Sequence, residues 1–193
     1  MQERMGQESV IQKLKTVLKN LPNDWLSLTT HRLDIYDERQ AKSQFLEGFE
    51  LLLEKNNLET STLNNLPTAF DYIRLGHPLS CILEWSIAQH NHLPAENVIS
   101  FDSKTAPILA ILRKNLFEKK NTRILYEKSL PDFLNFAELQ NVYGYTFTLQ
   151  EINKIQSIDA FEGSTIVLSH QNKLSDFQTN SNIDFTLNIQ DDL

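Results

Sequence analysis

The side chains able to do chemistry in this sequence are few and scattered. Five histidines occur, His31, His77, His90, His92 and His170, with a single cysteine, Cys81. His90-x-His92, with Glu96 close by, has the composition of a partial metal site. Side chains two apart on a helix point away from each other, however, and QHNHLP reads as a helix end, where histidine interacts with the last carbonyls and the dipole. Capping is therefore the favoured reading over metal ligation. Cys81 sits among Ile82, Leu83 and Trp85, a setting in which cysteine packs as a small hydrophobe. One cysteine excludes an internal disulfide framework and a Cys-rich zinc site, which fits a reducing cytosol. There is no G-x-S-x-G elbow, and five glycines in the whole chain assemble neither a P-loop nor a dinucleotide fingerprint. A basic run, Arg113, Lys114, Lys119, Lys120, Arg123 and Lys128, could meet an acidic partner. A solvated helix end explains it better, because the dipole favours cations there.

Whatever these residues do, a core must hold them in place. The chain has 193 residues, 40% apolar and 22% charged, with 25 acidic against 18 basic residues and a net charge of −7. That composition predicts a folded single domain, 1–193, and disfavours a nucleic-acid or anionic-membrane surface. No segment approaches about 18 uninterrupted apolar residues, and MQERMGQES lacks an apolar signal core, so a cytoplasmic protein without direct membrane insertion is expected.

Hydrophobic spacing predicts the elements. Val10, Ile11, Leu14, Val17, Leu18 and Leu21 form one helical stripe over 10–20, stopped by Pro22. Asp37 and Gln40 make a capping-box pattern before Ala41, Phe45, Phe49, Leu52 and Leu53. WLSLTTHRLDIY between them is compatible with a strand or an ordered connection. Turn formers over 58–68 mark a possible division into a helical front piece, 1–66, and an α/β core, 67–193, with a terminal β portion. Helices are expected at Pro78–His90, Thr105–Lys119 and Pro131–Tyr143, the last with Ser129 as cap, and strands at Val98–Phe101, Arg123–Glu127 and Tyr145–Leu149. Gly144 suits the left-handed residue after a helix. The helix containing Ile108 and Leu112 is apolar around much of its circumference and should be buried at the centre of the fold. This alternation predicts an α/β fold, with mixed α+β as the variant, built on a central β-α-β-α-β segment of parallel strands. Short strands follow at Ser164–Ser169 and Ile183–Ile189, joined by a long polar loop, HQNKLSDFQTNSN, expected to be mobile. The predicted core includes Leu14, Phe45, Leu52, Leu83, Ile99, Ile108, Leu112, Leu125, Phe136 and Phe147.

In the middle of the chain, YIRLGHPLSCILEWSIA, VISFDSKTAPILAILRKNL and TRILYEKSLPDFL resemble the front of the large domain in fold-type I pyridoxal-phosphate enzymes. The resemblance covers residues 72–134 and implies a turn, Asp102-Ser103-Lys104-Thr105, that would cradle a cofactor phosphate on a helix N-terminus. It departs from the family where Lys104 replaces a glycine and Pro107 follows, removing an amide. The chain is also about half the length such enzymes need for the Schiff-base lysine. Lys154 and Lys173 lie in polar, turn-like surroundings unsuited to a low-pKa amine. No cofactor and no catalytic activity are therefore expected. A reduced protein of this type, binding a phosphate-bearing ligand through Ser103, Lys104 and Thr105, is the alternative.

In size, acidity and lack of catalytic equipment the chain is similar to the LvgA-like acidic adaptors of the Dot/Icm type IVB secretion coupling complex. That similarity implies protein partners: the coupling ATPase tail, IcmS/IcmW-like adaptors and effector proteins. The favoured function is accordingly a non-catalytic adaptor that holds another polypeptide. Its contact is placed on the terminal strand, where Ile183, Phe185, Leu187 and Ile189 share one face and Asp184, Asp191 and Asp192 lie close by. An edge strand of this kind can accept an extended peptide alongside it.

Overall fold

The first apolar stripe is realised in the computed structural model as helix α1 (Gln7–Lys19), which buries Val10 and Val17 and leaves Ile11 and Leu18 facing solvent. Leu14 is only partly buried. The structure describes residues 7–26, 42–67, 77–170, 174–175 and 177–190. The chain divides into two units, 1–100 and 101–193.

The first unit is helical. After α1 come α2 (Asn23–Leu26), α3 (Ser43–Glu54), α4 (Thr60–Asn64) and α5 (Pro78–Asn91). Asp37, Gln40 and Ala41, with most of WLSLTTHRLDIY, lie outside the described residues. On α3, Phe45 and Phe49 stand one turn apart, so both face inward and stack at 6.1 Å. Trp25 meets Phe45 edge-on at 5.6 Å and Phe49 meets Trp85 at 5.4 Å, which joins three helices through one aromatic row. Gly48 lets Leu66 lie close against α3, since a Cβ there would be 2.8 Å from Leu66 Cδ2. The turn formers at 58–68 include α4, and Leu58 and Leu63 are buried within this unit.

Helix α5 starts as its sequence predicts. Pro78 occupies the first turn, and His77 Nδ1 accepts the Leu79 N–H at 3.1 Å. Nε2 of the same ring therefore carries the proton and donates to the Trp25 carbonyl, 3.1 Å away. The helix ends in left-handed His92, φ 55°, with the Leu93 N–H bonded to the Ala88 carbonyl. Leu83 is 46% exposed, contrary to its expected core place. Cys81, Ile82, Trp85 and Ala88 take the inward face and turn it to solvent.

The second unit is a mixed α/β fold carrying a parallel sheet. Helix α6 (Ala106–Phe117) leads into β1 (Thr122–Tyr126). There follow α7 (Phe136–Asn141), β2 (Thr148–Glu151), β3 (Ser164–Ser169) and β4 (Phe185–Asn188). Among the described residues the strand order is β2-β1-β3-β4, with every neighbouring pair parallel. Ile124 stands beside Ile166 and Tyr126 beside Leu168 on the face covered by α6 and α7. Leu125 and Val167 alternate to the other face, where Ile155 and Ile158 cover them. All six residues of β3 are buried, whereas all four of β2 are exposed.

Several sequence expectations are corrected. Val98–Phe101 is not a strand: Ile99 is 58% exposed, and the Ser100 N–H and hydroxyl both bond to Glu84 instead of a neighbouring strand. The β-α-β-α-β segment therefore begins at α6. The helix expected from Pro131 starts at Phe136, because Asn135, not Ser129, supplies the cap, its Oδ1 accepting the Glu138 N–H at 3.1 Å. The following strand is shifted to Thr148–Glu151, the span that pairs with Arg123–Tyr126. Helix α6 buries only one side, and Leu116 and Phe117 are exposed. The described part of the polar loop is tied down, since Asn180 and Asn182 donate to the carbonyls of Ile155 and Ile158 at 3.0 and 2.8 Å. Among the described residues no helix is long and apolar enough to cross a membrane.

Candidate functional site

The terminal strand lies where its alternation places it, at one edge of the sheet. Among the described residues β4 is the last strand on its side of the sheet. Phe185 and Leu187 are half-buried against the core between the sheet and its helices and Ile189 is buried, but Ile183, which precedes the strand, packs against the opposite core, so the expected single face of four residues is broken at its first member. The four residues thus anchor the strand rather than form an exposed strip, and the accessible resource is the edge of the backbone itself. Asp184 is held within the sheet, where its N–H donates to the Thr165 carbonyl at 3.0 Å and its carboxylate accepts the Thr165 N–H at 2.8 Å. Asp191 and Asp192 lie outside the described residues.

Ser103, Lys104 and Thr105 are brought together at the start of α6. Ser103 Oγ accepts the Ala106 N–H and lies 3.2 Å from Thr105 Oγ1. Pro107 has no N–H and the Leu109 N–H bonds to the Thr105 carbonyl, so few first-turn amides are left to offer a phosphate. Lys104 Nζ lies 6.0 Å from the Phe133 ring centroid. This is a self-capped helix start more than a phosphate cradle.

The remaining chemistry-bearing residues are dispersed. Among the described residues no three His, Cys, Asp or Glu side chains converge on a metal position. Burial, reinforced by Glu84, pushes the Cys81 thiol up to about 12. Glu84 is itself 7% exposed. Its Oε2 takes Lys42 Nζ at 2.6 Å, its Oε1 takes the Ser100 N–H at 2.8 Å, and Lys42 also donates to the Val98 carbonyl at 2.7 Å. This cluster fastens residues 98–100 to α3 and α5. In the basic run, Lys114 and Lys120 both reach Glu118, at 2.7 and 2.8 Å. Their hydrogen bonds, Lys114 first, hold that carboxyl down to about 2. Arg123 stacks on Phe161 at 4.8 Å and donates to the Asp159 carbonyl and Thr165 Oγ1.

One surface is not foreshadowed by the sequence pattern. Because α7 has only six residues, it leaves the flank of α6 uncovered. A cleft of about 570 Å³ opens there, lined by Leu109, Arg113, Phe133, Glu138, Tyr143 and Tyr145 among others. Gly144, φ 70°, reverses the chain after α7 so that Tyr143 and Tyr145 stack with ring centroids 6.4 Å apart. The available signal is local, two tyrosines flanking a helix-ending glycine, but their sharing of one cleft with Arg113 depends on the packing of α6.

No protein-family model, curated protein or solved structure matches this chain.

Proposed function

We propose that this protein is a non-catalytic adaptor that holds another polypeptide in extended form along the outer edge of β4. The observation that carries the reading is that β4 is the last strand of the described parallel sheet, while Phe185 and Leu187 pin it to the core. A pinned edge strand is a rigid template: it presents backbone donors and acceptors at fixed spacing, and its half-buried apolar row continues under an added strand. β2 also lies at an edge, but all four of its residues, Leu149 among them, face solvent, and it has no half-buried apolar row. The resemblance to the Dot/Icm coupling-complex adaptors supports a cytosolic setting. It makes the coupling ATPase tail, IcmS/IcmW-like adaptors and effector proteins the partners to try first.

The test is affinity capture of the partner from the source cells with native protein and with Phe185→Asp, the variant being used only if circular dichroism shows it folded. At least tenfold loss of capture is expected. Undiminished capture by the folded variant overturns the reading.

A further inference from the structure

We infer that the cleft between α6 and α7 is a second binding surface, separate from the β4 edge, and that it takes a short acidic peptide segment carrying an apolar anchor. Its shape is already formed, and about 570 Å³ lies within the ~300–1,000 Å³ range of binding clefts. The floor is apolar, with Leu109, Leu134 and Leu139, and the rim holds Phe133 and the stacked tyrosines. Such aromatic side chains give large contact area and lose little conformational freedom on binding. Tyr143 is 59% and Phe133 36% exposed, so both rings are available.

Charge selects the occupant. Arg113 makes no ion pair among the described residues, its guanidinium lying 5.6 Å from the Phe117 ring, whereas the neighbouring Lys114 and Lys120 are both engaged by Glu118. Arg113 shares the lining of the cleft with Phe133, Tyr143 and Tyr145, and arginine together with aromatic residues is enriched where peptides and proteins are bound. Glu138 lines the cleft from α7, so a carboxylate of the occupant is accepted on the α6 side and refused on the other. That asymmetry gives the bound segment a direction. Thr105, Leu109 and Arg113 follow one another a turn apart along α6, a wall of about 12 Å at about 1.5 Å per residue. About four residues of extended chain cover it at about 3.3 Å each.

The test is selection of a displayed library of random eight-residue peptides on the immobilised full chain. Selected sequences are expected to carry an aromatic or large aliphatic residue within two positions of Asp or Glu. Synthetic copies should bind Arg113→Glu and Tyr143→Ala at least tenfold more weakly, and exchange of their acidic residues for Lys should restore binding to Arg113→Glu. Both substituted positions are exposed, and circular dichroism confirms that the variants fold. The inference is overturned by failure to enrich any sequence, by enrichment of basic sequences, by binding indifferent to both variants, or by displacement of the peptides by oligothymidine, which would make the tyrosines a nucleic-acid platform. Readout confined to cleft variants keeps failure here distinct from failure at β4.

Discussion

Lys42→Met should destabilise the first unit by about 3 kcal/mol. Lys42 Nζ lies 2.6 Å from Glu84 Oε2 and 2.7 Å from the Val98 carbonyl, and the two side chains are 20% and 9% exposed. Removing the ammonium leaves a buried carboxylate whose Oε2 loses this donor, while Oε1 keeps the Ser100 N–H and hydroxyl. Stranding one member of a buried pair costs about 3–5 kcal/mol, and the partial exposure of Lys42, which lets water approach, places this case at the lower end. Glu84→Gln should cost less, about 1–2 kcal/mol, because an amide oxygen can still accept from Ser100 and the ammonium keeps Val98. The double variant should be more stable than the sum of the single losses implies, by about 1–3 kcal/mol of coupling. Urea unfolding followed by tryptophan fluorescence reads this selectively, since the protein has two tryptophans, Trp25 and Trp85, both buried in the first unit. A loss below about 0.5 kcal/mol for Lys42→Met with an unchanged m value would refute the reasoning, since that is the scale of an ordinary surface substitution.

The Glu118 carboxyl should titrate near 2 by carboxylate NMR and move toward its ordinary value in high salt, which screens exposed pairs. Its folded pKa is depressed, so its small stabilising contribution is present above about 4.5 and is lost as pH falls toward 2. Cys81 should resist Ellman's reagent in the folded protein and react fully in urea. With its pKa raised from 9.0 to about 12, stability should decline as pH climbs through that interval, since the unfolded thiol ionises first. Gly163→Ala should cost more than Gly144→Ala in thermal unfolding: at 163, φ 153°, the new Cβ would sit 2.4 Å from the Asn121 carbonyl oxygen, whereas at 144 only the positive φ opposes it. Equal losses at the two glycines would contradict this.

Elements defined by their own spacing were legible in the sequence. The stripe of α1, the starts of α5 and α6 at their prolines, the apolar runs of β1 and β3 and the alternation of β4 needed no partner to be recognised. Features settled by distant contacts were not. Val98–Phe101 looks like a strand until Glu84, sixteen residues before Ser100, claims its amide and hydroxyl. The residues after Pro131 have helical spacing, yet the Asn135 side chain captures the Glu138 amide and the helix starts late. Leu83 is as apolar as its neighbours, and only the packing of α5 on the aromatic row decides which of them turns outward. The edge position of β4 was readable because a half-polar strand is suited to an edge. The cleft was not, because it exists only where a short α7 fails to cover α6.

Hydrogen–deuterium exchange of the full chain, alone and saturated with its captured partner, tests strand addition most directly, since a new strand must bond to the amides of the edge it joins. Protection is expected to concentrate on peptides covering Phe185–Asn188. A stable complex that leaves those amides exchanging as fast as in the free protein, with protection appearing elsewhere, would contradict strand addition at β4.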